Sequence, residues 1–295
     1  MKTNAAALTA SRSRASDYVA LAKPRLNGLV VASALAGYAM AGGDTSDVVR
    51  VLGTIVGTAL VAGGASALNQ LLERDSDALM RRTRLRPLPD GRLQPFDALA
   101  FGTFLATAGL ILLAATVNVL SAAVALATLA SYAIVYTPLK RRTSFATVIG
   151  AIPGALPPVI GWAAGRGGLS KGAWVLFGIV FLWQLPHFLA IAWMYREDYA
   201  RAGLRMLPVL EPDGRSTARQ AVLYAAALLP VSLAPTLLGM AGAIYFGAAF
   251  LLSAGLLWLS IRFARDRGVP AARRLFYGSI LYLPALWIVM IANRQ

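Results

Sequence analysis

The apolar run VVRVLGTIVGTALVAGGASAL (residues 48–68), continuing into NQLLERDSDALMRRTRLRPLP (Asn69–Pro89), decides how this chain is read. The first segment is long and apolar enough to cross a hydrocarbon core about 30 Å thick. The second opens with polar groups that a lipid-facing helix would not tolerate. Asn69, Glu73 and Asp77 recur at every fourth position, so on an α-helix each is offset from the last by only about 40°. Three oxygen-bearing side chains then line one face over two turns. Asp75, two residues from either neighbour, projects to nearly the opposite side and is expected to pair with a base or face water. Arg81, Arg82, Arg84 and Arg86 follow at once. Oxygen ligands for a hard divalent cation, set beside an arginine cluster, are what a diphosphate needs.

Composition places this motif in a membrane. Of the 295 residues 58% are hydrophobic and 14% charged, and the mean hydropathy is +0.63. A soluble domain of this size needs far more charged surface, so the expected fold is an all-α polytopic bundle of about nine transmembrane helices. The absence of cysteine excludes a disulfide framework and any thiolate metal site. A net charge of +15 would suggest nucleic acid in a soluble protein; here it fits loops on the positive-inside face of a bilayer, and no nucleic-acid partner is expected.

Apolar spans are expected at roughly 26–42, 48–68, 97–117, 119–137, 144–164, 172–195, 218–238, 242–262 and 272–292. The fifth contains GAIPGALPP (Gly150–Pro158), whose glycines and prolines mean a broken or closely packed helix, tolerated only where protein re-satisfies the backbone. Residues 1–22 lack the apolar core of a secretory signal and read as a basic arm, with the membrane domain running from 23 to 295. Nine spans put alternate loops on alternate sides. Only Arg50, Arg166, Lys171 and Arg294, among 28 basic residues, then fall on the side of the C-terminus. The other side, with the N-terminus, is expected to be cytoplasmic, in the inner membrane or its organellar equivalent.

That basic side also holds the unusual acids. Of 13 Asp and Glu, only Asp44 and Asp47 lie opposite. Glu73, Asp75 and Asp77 end the second span, and Glu197 and Asp198 end the sixth. Burying an ionisable group in a bilayer costs about 2.5–3.5 kcal/mol even on lenient scales, so acids in register there point to function. His187, the only histidine, lies in WQLPHF (Trp183–Phe188), eleven residues or about three helical turns before Asp198. It reads either as a core imidazole bonded to a carbonyl freed by Pro186, or as a haem ligand, proton carrier or substrate contact. Nothing supports nucleophilic hydrolysis or ATP use: there is no Gly-x-Ser-x-Gly, no second histidine for zinc and no Walker-type loop.

With these residues in view, the chain resembles the intramembrane prenyltransferases of the UbiA type, and within them the haem-directed branch. The resemblance rests on Asn69, Glu73 and Asp77; on Met80, Arg82, Thr83 and Arg86–Leu88; and on Tyr136, Thr137, Leu139–Arg141 and Thr143. Gly150–Pro158, Trp183–Phe188, Asp198–Tyr199, Ala202–Gly203 and Met206–Pro208 complete it. It implies nine helices round a central cavity and a farnesyl group passed from farnesyl diphosphate to a vinyl substituent of haem b. Mg2+ would be held by Asn69, Glu73 and Asp77, with Asp198 as a further candidate, and Lys140 would assist catalysis. Substrate contacts are implied for Lys23, Arg25, Arg82, Arg86 and Arg141, and for Gln184, His187 and Tyr195. A downstream haem-modifying enzyme or terminal oxidase assembly is the implied onward partner. Quinone-directed relatives carry several aspartates in the second motif, whereas this chain clearly keeps only Asp198 there. An aromatic quinone precursor as acceptor, or a non-enzymatic transporter, are the alternative readings.

Overall fold

The computed structural model describes residues 13–295. The chain begins with α1 (Arg14–Ala22) and α2 (Pro24–Met40), then α3 (Val48–Leu72), the short α4 (Arg74–Leu79) and α5 (Pro95–Thr116). Next, α6 (Val119–Ala130) passes through a π-helical turn, Ser131–Tyr136, into α7 (Thr137–Leu139). The fifth span is split into α8 (Ala146–Ala155) and α9 (Pro157–Arg166). The second half comprises α10 (Lys171–Met194), α11 (Arg196–Arg201), α12 (Leu207–Leu210), α13 (Arg215–Leu237), α14 (Ala243–Asp266) and α15 (Val269–Ala292). Among the described residues there is no β-strand, only an isolated bridge between Ala241 and Arg294. Among the described residues nine stretches are long and apolar enough to cross a membrane, from Arg14–Met40 to Val269–Ala292. The protein is a multi-pass, all-α membrane protein.

Its largest core lies among α10, α13, α14 and α15, around Leu176, Leu228, Tyr245, Phe263 and Leu286. In the first half, small residues let backbones approach closely, because lipid supplies no hydrophobic drive between helices. A Cβ on Gly161 of α9 would lie 1.6 Å from the Ala34 carbonyl oxygen of α2, and one on Gly37 would lie 1.9 Å from that of Pro158. The Gly-Pro run thus packs one helix pair tightly while Pro157 starts a new helix after the break, as the sequence led us to expect.

Two further breaks depart from expectation. One lies ahead of the expected first span, at Lys23, a non-glycine residue at φ 48°, where α2 begins at Pro24 but a helix also precedes it. The carbonyls freed there are satisfied from the side: Gln70 donates to Leu21 and Asn27 donates to Ala22. Residues 14–22, read from sequence as the end of an arm, form α1 instead. Leu21 is fully buried against Ala67 and Leu93, and Asp17 is held by Arg92 at 3.0 Å. The first twelve residues of that arm, with Lys2 and Arg12, lie outside the described residues.

The second break falls at Glu73 (φ −98°, ψ 4°), so Asn69, Glu73 and Asp77 do not share one continuous helix. Their four-residue rungs survive it: the Glu73 amide donates to Asn69 O at 3.0 Å and the Asp77 amide to Glu73 O at 2.8 Å.

The α2–α9 contact sets a test. Gly161→Val should destabilise the protein by about 3 kcal/mol or more, because backbone rather than a flexible side chain must yield. Thermal unfolding in detergent should show a lowered midpoint; a midpoint equal to that of the parent would mean that the two helices can separate freely.

Candidate active site

Each of the three oxygen-bearing side chains meets a partner from elsewhere in the chain. Asn69, 2% exposed, donates through Nδ2 to Thr137 Oγ1 at 3.2 Å. Thr137 Oγ1 in turn donates to Tyr132 O at 2.9 Å, within the π-helical turn. Such turns re-aim side chains by one position and are frequent at functional sites. Glu73 Oε1 accepts from Lys140 Nζ at 2.6 Å. Asp77, 1% exposed, takes Arg86 on Oδ2 at 2.6 Å.

One oxygen on each remains. Asp77 Oδ1 is buried with no hydrogen-bond partner, and neither Asn69 Oδ1 nor Glu73 Oε2 accepts a hydrogen bond among the described residues. An orphaned carboxylate oxygen in a buried position is costly unless something completes it. No cluster of three Asp, Glu, His or Cys suited to a metal occurs among the described residues; the set here is two carboxylates and an amide. Asp75 stands apart as expected, exposed and paired only with Arg74 at 3.0 Å.

Lys140 is the main cation of the group. Burial works against its charge, but Tyr136, Glu73 and Tyr132 outweigh it and hold the ammonium above the ordinary lysine range. It lies 4.4 Å from the centroid of the Tyr136 ring. That ring packs where a side chain at Gly150 would be, since a Cβ there would approach Tyr136 to 2.3 Å. Arg141 donates to Ser76 at 2.6 Å. Lys23, at the join between α1 and α2, is half-buried, and its side chain makes no hydrogen bond or ion pair among the described residues. Arg25 is exposed and touches none of this set.

Asp198 does something the spacing could not foretell. It is 7% exposed and accepts from the backbone amides of Arg81 and Arg82, both at 3.3 Å, and from the Arg201 side chain. The second acidic motif therefore clasps the loop that follows the first. Arg82 also lies 4.9 Å over the Tyr195 ring, reinforcing the same join. Within the loop, Thr83 donates to Asp77 O at 2.9 Å, and Arg92 anchors its far end to α1.

The remaining pair, Gln184 and His187, faces other helices. Gln184 Nε2 donates to Ala151 O at 2.7 Å, tying α10 to α8. The His187 imidazole stacks on Trp183 and Phe276, with ring centroids 5.5 and 4.9 Å away. Its Nδ1 meets Ser279 Oγ at 2.8 Å, not a carbonyl freed by Pro186. Ser279 Oγ also lies 2.6 Å from Phe276 O, so the imidazole is held by a hydroxyl that is itself tied to the backbone of α15. Sequence spacing missed Thr137, Tyr136, Ser76 and Ser279 as partners. The first two were visible only as members of the Tyr136–Thr143 motif, and nothing local marks Ser279.

A model described as the UbiA prenyltransferase family matches residues 30–287. A protein of Solibacter usitatus (strain Ellin6076) bearing the name protoheme IX farnesyltransferase is 52% identical, over 94% of this chain and 98% of its own. Among solved structures, one described as digeranylgeranylglyceryl phosphate synthase aligns with TM-score 0.79 and 15% identity, covering 95% of this chain and 98% of its own. A UbiA homologue of Archaeoglobus fulgidus bound to GPP and Mg2+ aligns with TM-score 0.64 and 16% identity, covering 93% of this chain and 99% of its own.

The clasp generates a prediction. Asp198→Asn keeps the size but removes the charge, weakening hydrogen bonds worth about 1.5–3 kcal/mol each when one partner is ionised. Limited proteolysis between residues 80 and 94 should accelerate while the membrane helices stay intact. Unchanged protection of that loop would show that Asp198 does not hold it.

Proposed function

The chain belongs to the UbiA prenyltransferase family, and on that premise we propose that it transfers the farnesyl group of farnesyl diphosphate to a vinyl substituent of haem b. Water completes the addition, giving haem O. The observation that carries the diphosphate half of this reading is the set Asn69, Glu73 and Asp77, each with one oxygen unpartnered and its other polar atom fixed by a neighbour. Support for the acceptor is the similarity along nearly the whole chain to the Solibacter protein.

Two carboxylates and an amide are hard oxygen donors that suit Mg2+, which when bound would neutralise charge on the departing diphosphate. Around them the chain supplies fixed positive charge. Lys140 and Arg86 already sit on Glu73 and Asp77, and Arg82, Arg141 and Lys23 add cations at the same end of the bundle. Such charges act without reorganising as the leaving group develops. Asp198 supports this arrangement by positioning the Arg81–Arg82 backbone, a use that fits a single acidic metal motif better than two. The apolar spans hold the isoprenoid tail and keep water from the allylic cation until the acceptor attacks. His187 suits a contact to the haem, since an imidazole nitrogen is a ligand that haem iron accepts. Gln184, Tyr195 and Arg25 enter this reading as substrate contacts with weaker support, since the first two are tied to Ala151 and Arg82.

In this reading the reacting end faces the cytoplasm at the inner membrane, with the C-terminus opposite, an orientation that the charge asymmetry of the loops supports. The product would pass to a haem-modifying enzyme or to terminal oxidase assembly.

Membranes containing the protein should convert haem b to haem O when given farnesyl diphosphate and Mg2+, and a chelator should stop the conversion. Pigment extraction and mass spectrometry read this directly; a prenylated hydroxybenzoate with unchanged haem would sink the assignment. Asp77→Asn should lower turnover by at least about a hundredfold, on the scale of losing one electrostatic group from a transition-state site, while the protein still inserts. Full activity in that variant would remove Asp77 from the metal set.

A further inference from the structure

The positive-inside pattern explains why the turn between α14 and α15 carries arginines, but not why three of them converge. Arg262 and Arg265 from α14 and Arg274 from α15 line one cavity of about 530 Å³, together with Trp258, Leu259, Asp266 and Ala271. The spacing from Trp258 through Arg262 to Arg265 and Asp266 follows one face of α14, the face turned to α15. Deeper in the bundle Leu259 packs where a side chain at Gly278 would be, since a Cβ there would approach Leu259 to 2.4 Å. Towards the turn the small Ala271 leaves the space open.

The electrostatics of this cavity are unbalanced. The ion pairs among the described residues occupy other cations, and none includes Arg262, Arg265 or Arg274. Asp266 is the one acid in the lining, and it too makes no ion pair. Three guanidinium groups facing a single carboxylate favour an incoming anion. The depth is set by Trp258, which is 55% exposed and has the Arg262 guanidinium 5.2 Å above its ring. A tryptophan with an arginine snorkelling over it marks the level of lipid headgroups. Cationic groups above and an apolar wall of Trp258 and Leu259 below match one amphipathic anion that surrounds the protein in bulk.

We propose that this cavity is a binding site for an anionic glycerophospholipid of the leaflet that borders the basic loops. The phosphodiester sits among Arg262, Arg265 and Arg274, and an acyl chain runs along Trp258 and Leu259. Basic pockets between membrane helices on this side are suited to such headgroups. Guanidinium forks bind phosphate oxygens in pairs, which lysines cannot do. The site is independent of the prenyl-transfer reading, because none of its residues contacts Glu73, Asp77, Lys140 or their partners.

The test uses the full-length protein in mixed micelles of detergent with either dioleoylphosphatidylglycerol or dioleoylphosphatidylcholine. Native mass spectrometry and thermal unfolding are read in parallel. Phosphatidylglycerol should be retained and should raise the unfolding midpoint, and phosphatidylcholine should do neither. In R262A/R265A/R274A the apparent affinity for phosphatidylglycerol should fall roughly a hundredfold, the effect expected for three cations at an anionic surface. R215A/R219A, which alters the neighbouring basic groove between α13 and α14, should bind as the parent does. Arg274→Gln alone, a milder change, should weaken retention in the same direction if the triple variant does not fold. Equal effects of the two lipids, parent-like binding by the arginine variants, or an equal loss in R215A/R219A would overturn the proposal; the last would show a diffuse positive surface instead of a built site.

Discussion

Two carboxylates at the end of a membrane helix cannot stand uncompensated, and the rest of this site follows from how they are balanced. Glu73 and Asp77 each receive one cation, Lys140 from beyond the fourth span and Arg86 from the loop after the second. Removing either partner from a buried pair leaves a charge whose desolvation nothing repays, at a cost of about 3–5 kcal/mol. Those two contacts therefore fix where α7 and the 80–94 loop must lie relative to α3. They also leave Asp77 Oδ1 buried and without a partner, beside the free oxygens of Asn69 and Glu73. The charge that stabilises the fold and the charge that would act on a diphosphate are the same charge.

Helix breaks do much of the positioning. At Lys23, Glu73 and Leu156 the backbone leaves its regular path, and in a bilayer each freed carbonyl must find a donor inside the protein. Gln70 and Asn27 serve the first break. The π-helical turn before Thr137 serves a related end, because Thr137 can bond both Tyr132 and Asn69 only from that register. Tight glycine contacts such as Gly161 on Ala34 hold the surrounding helices close enough for these short side chains to reach.

The two halves are joined by backbone capture. Asp198 accepts two amides from the loop after the first motif, which accounts for an acid in the second motif without assigning it a second metal. On α10 itself, His187 is held by stacking on Trp183 and Phe276 and by Ser279 at Nδ1. The consecutive helices α10 and α11 thus serve both ends of the reaction that we propose, the acceptor side through His187 and the loop over the diphosphate through Asp198.

The sequence by itself determined what depends on composition and short periodicity. Nine apolar runs of sufficient length, the loop charges and the four-residue spacing of Asn69, Glu73 and Asp77 could be read directly, because a bilayer penalises polar groups residue by residue. The same reasoning put Asp75 on another side of the helix, where it is exposed and paired with Arg74. Periodicity failed where the backbone breaks: it extended one helix through Glu73 and treated residues 14–22 as an arm when Leu21 and Asp17 are buried against α3 and the 80–94 loop. Only the tertiary structure decided which cation meets which acid, that Asp198 holds a loop more than a hundred residues away, and that Ser279 is the partner of the His187 ring. Those contacts are made between helices distant in the chain, and the angles and separations at which helices pack are set by the summed fit of many side chains, which no local spacing records.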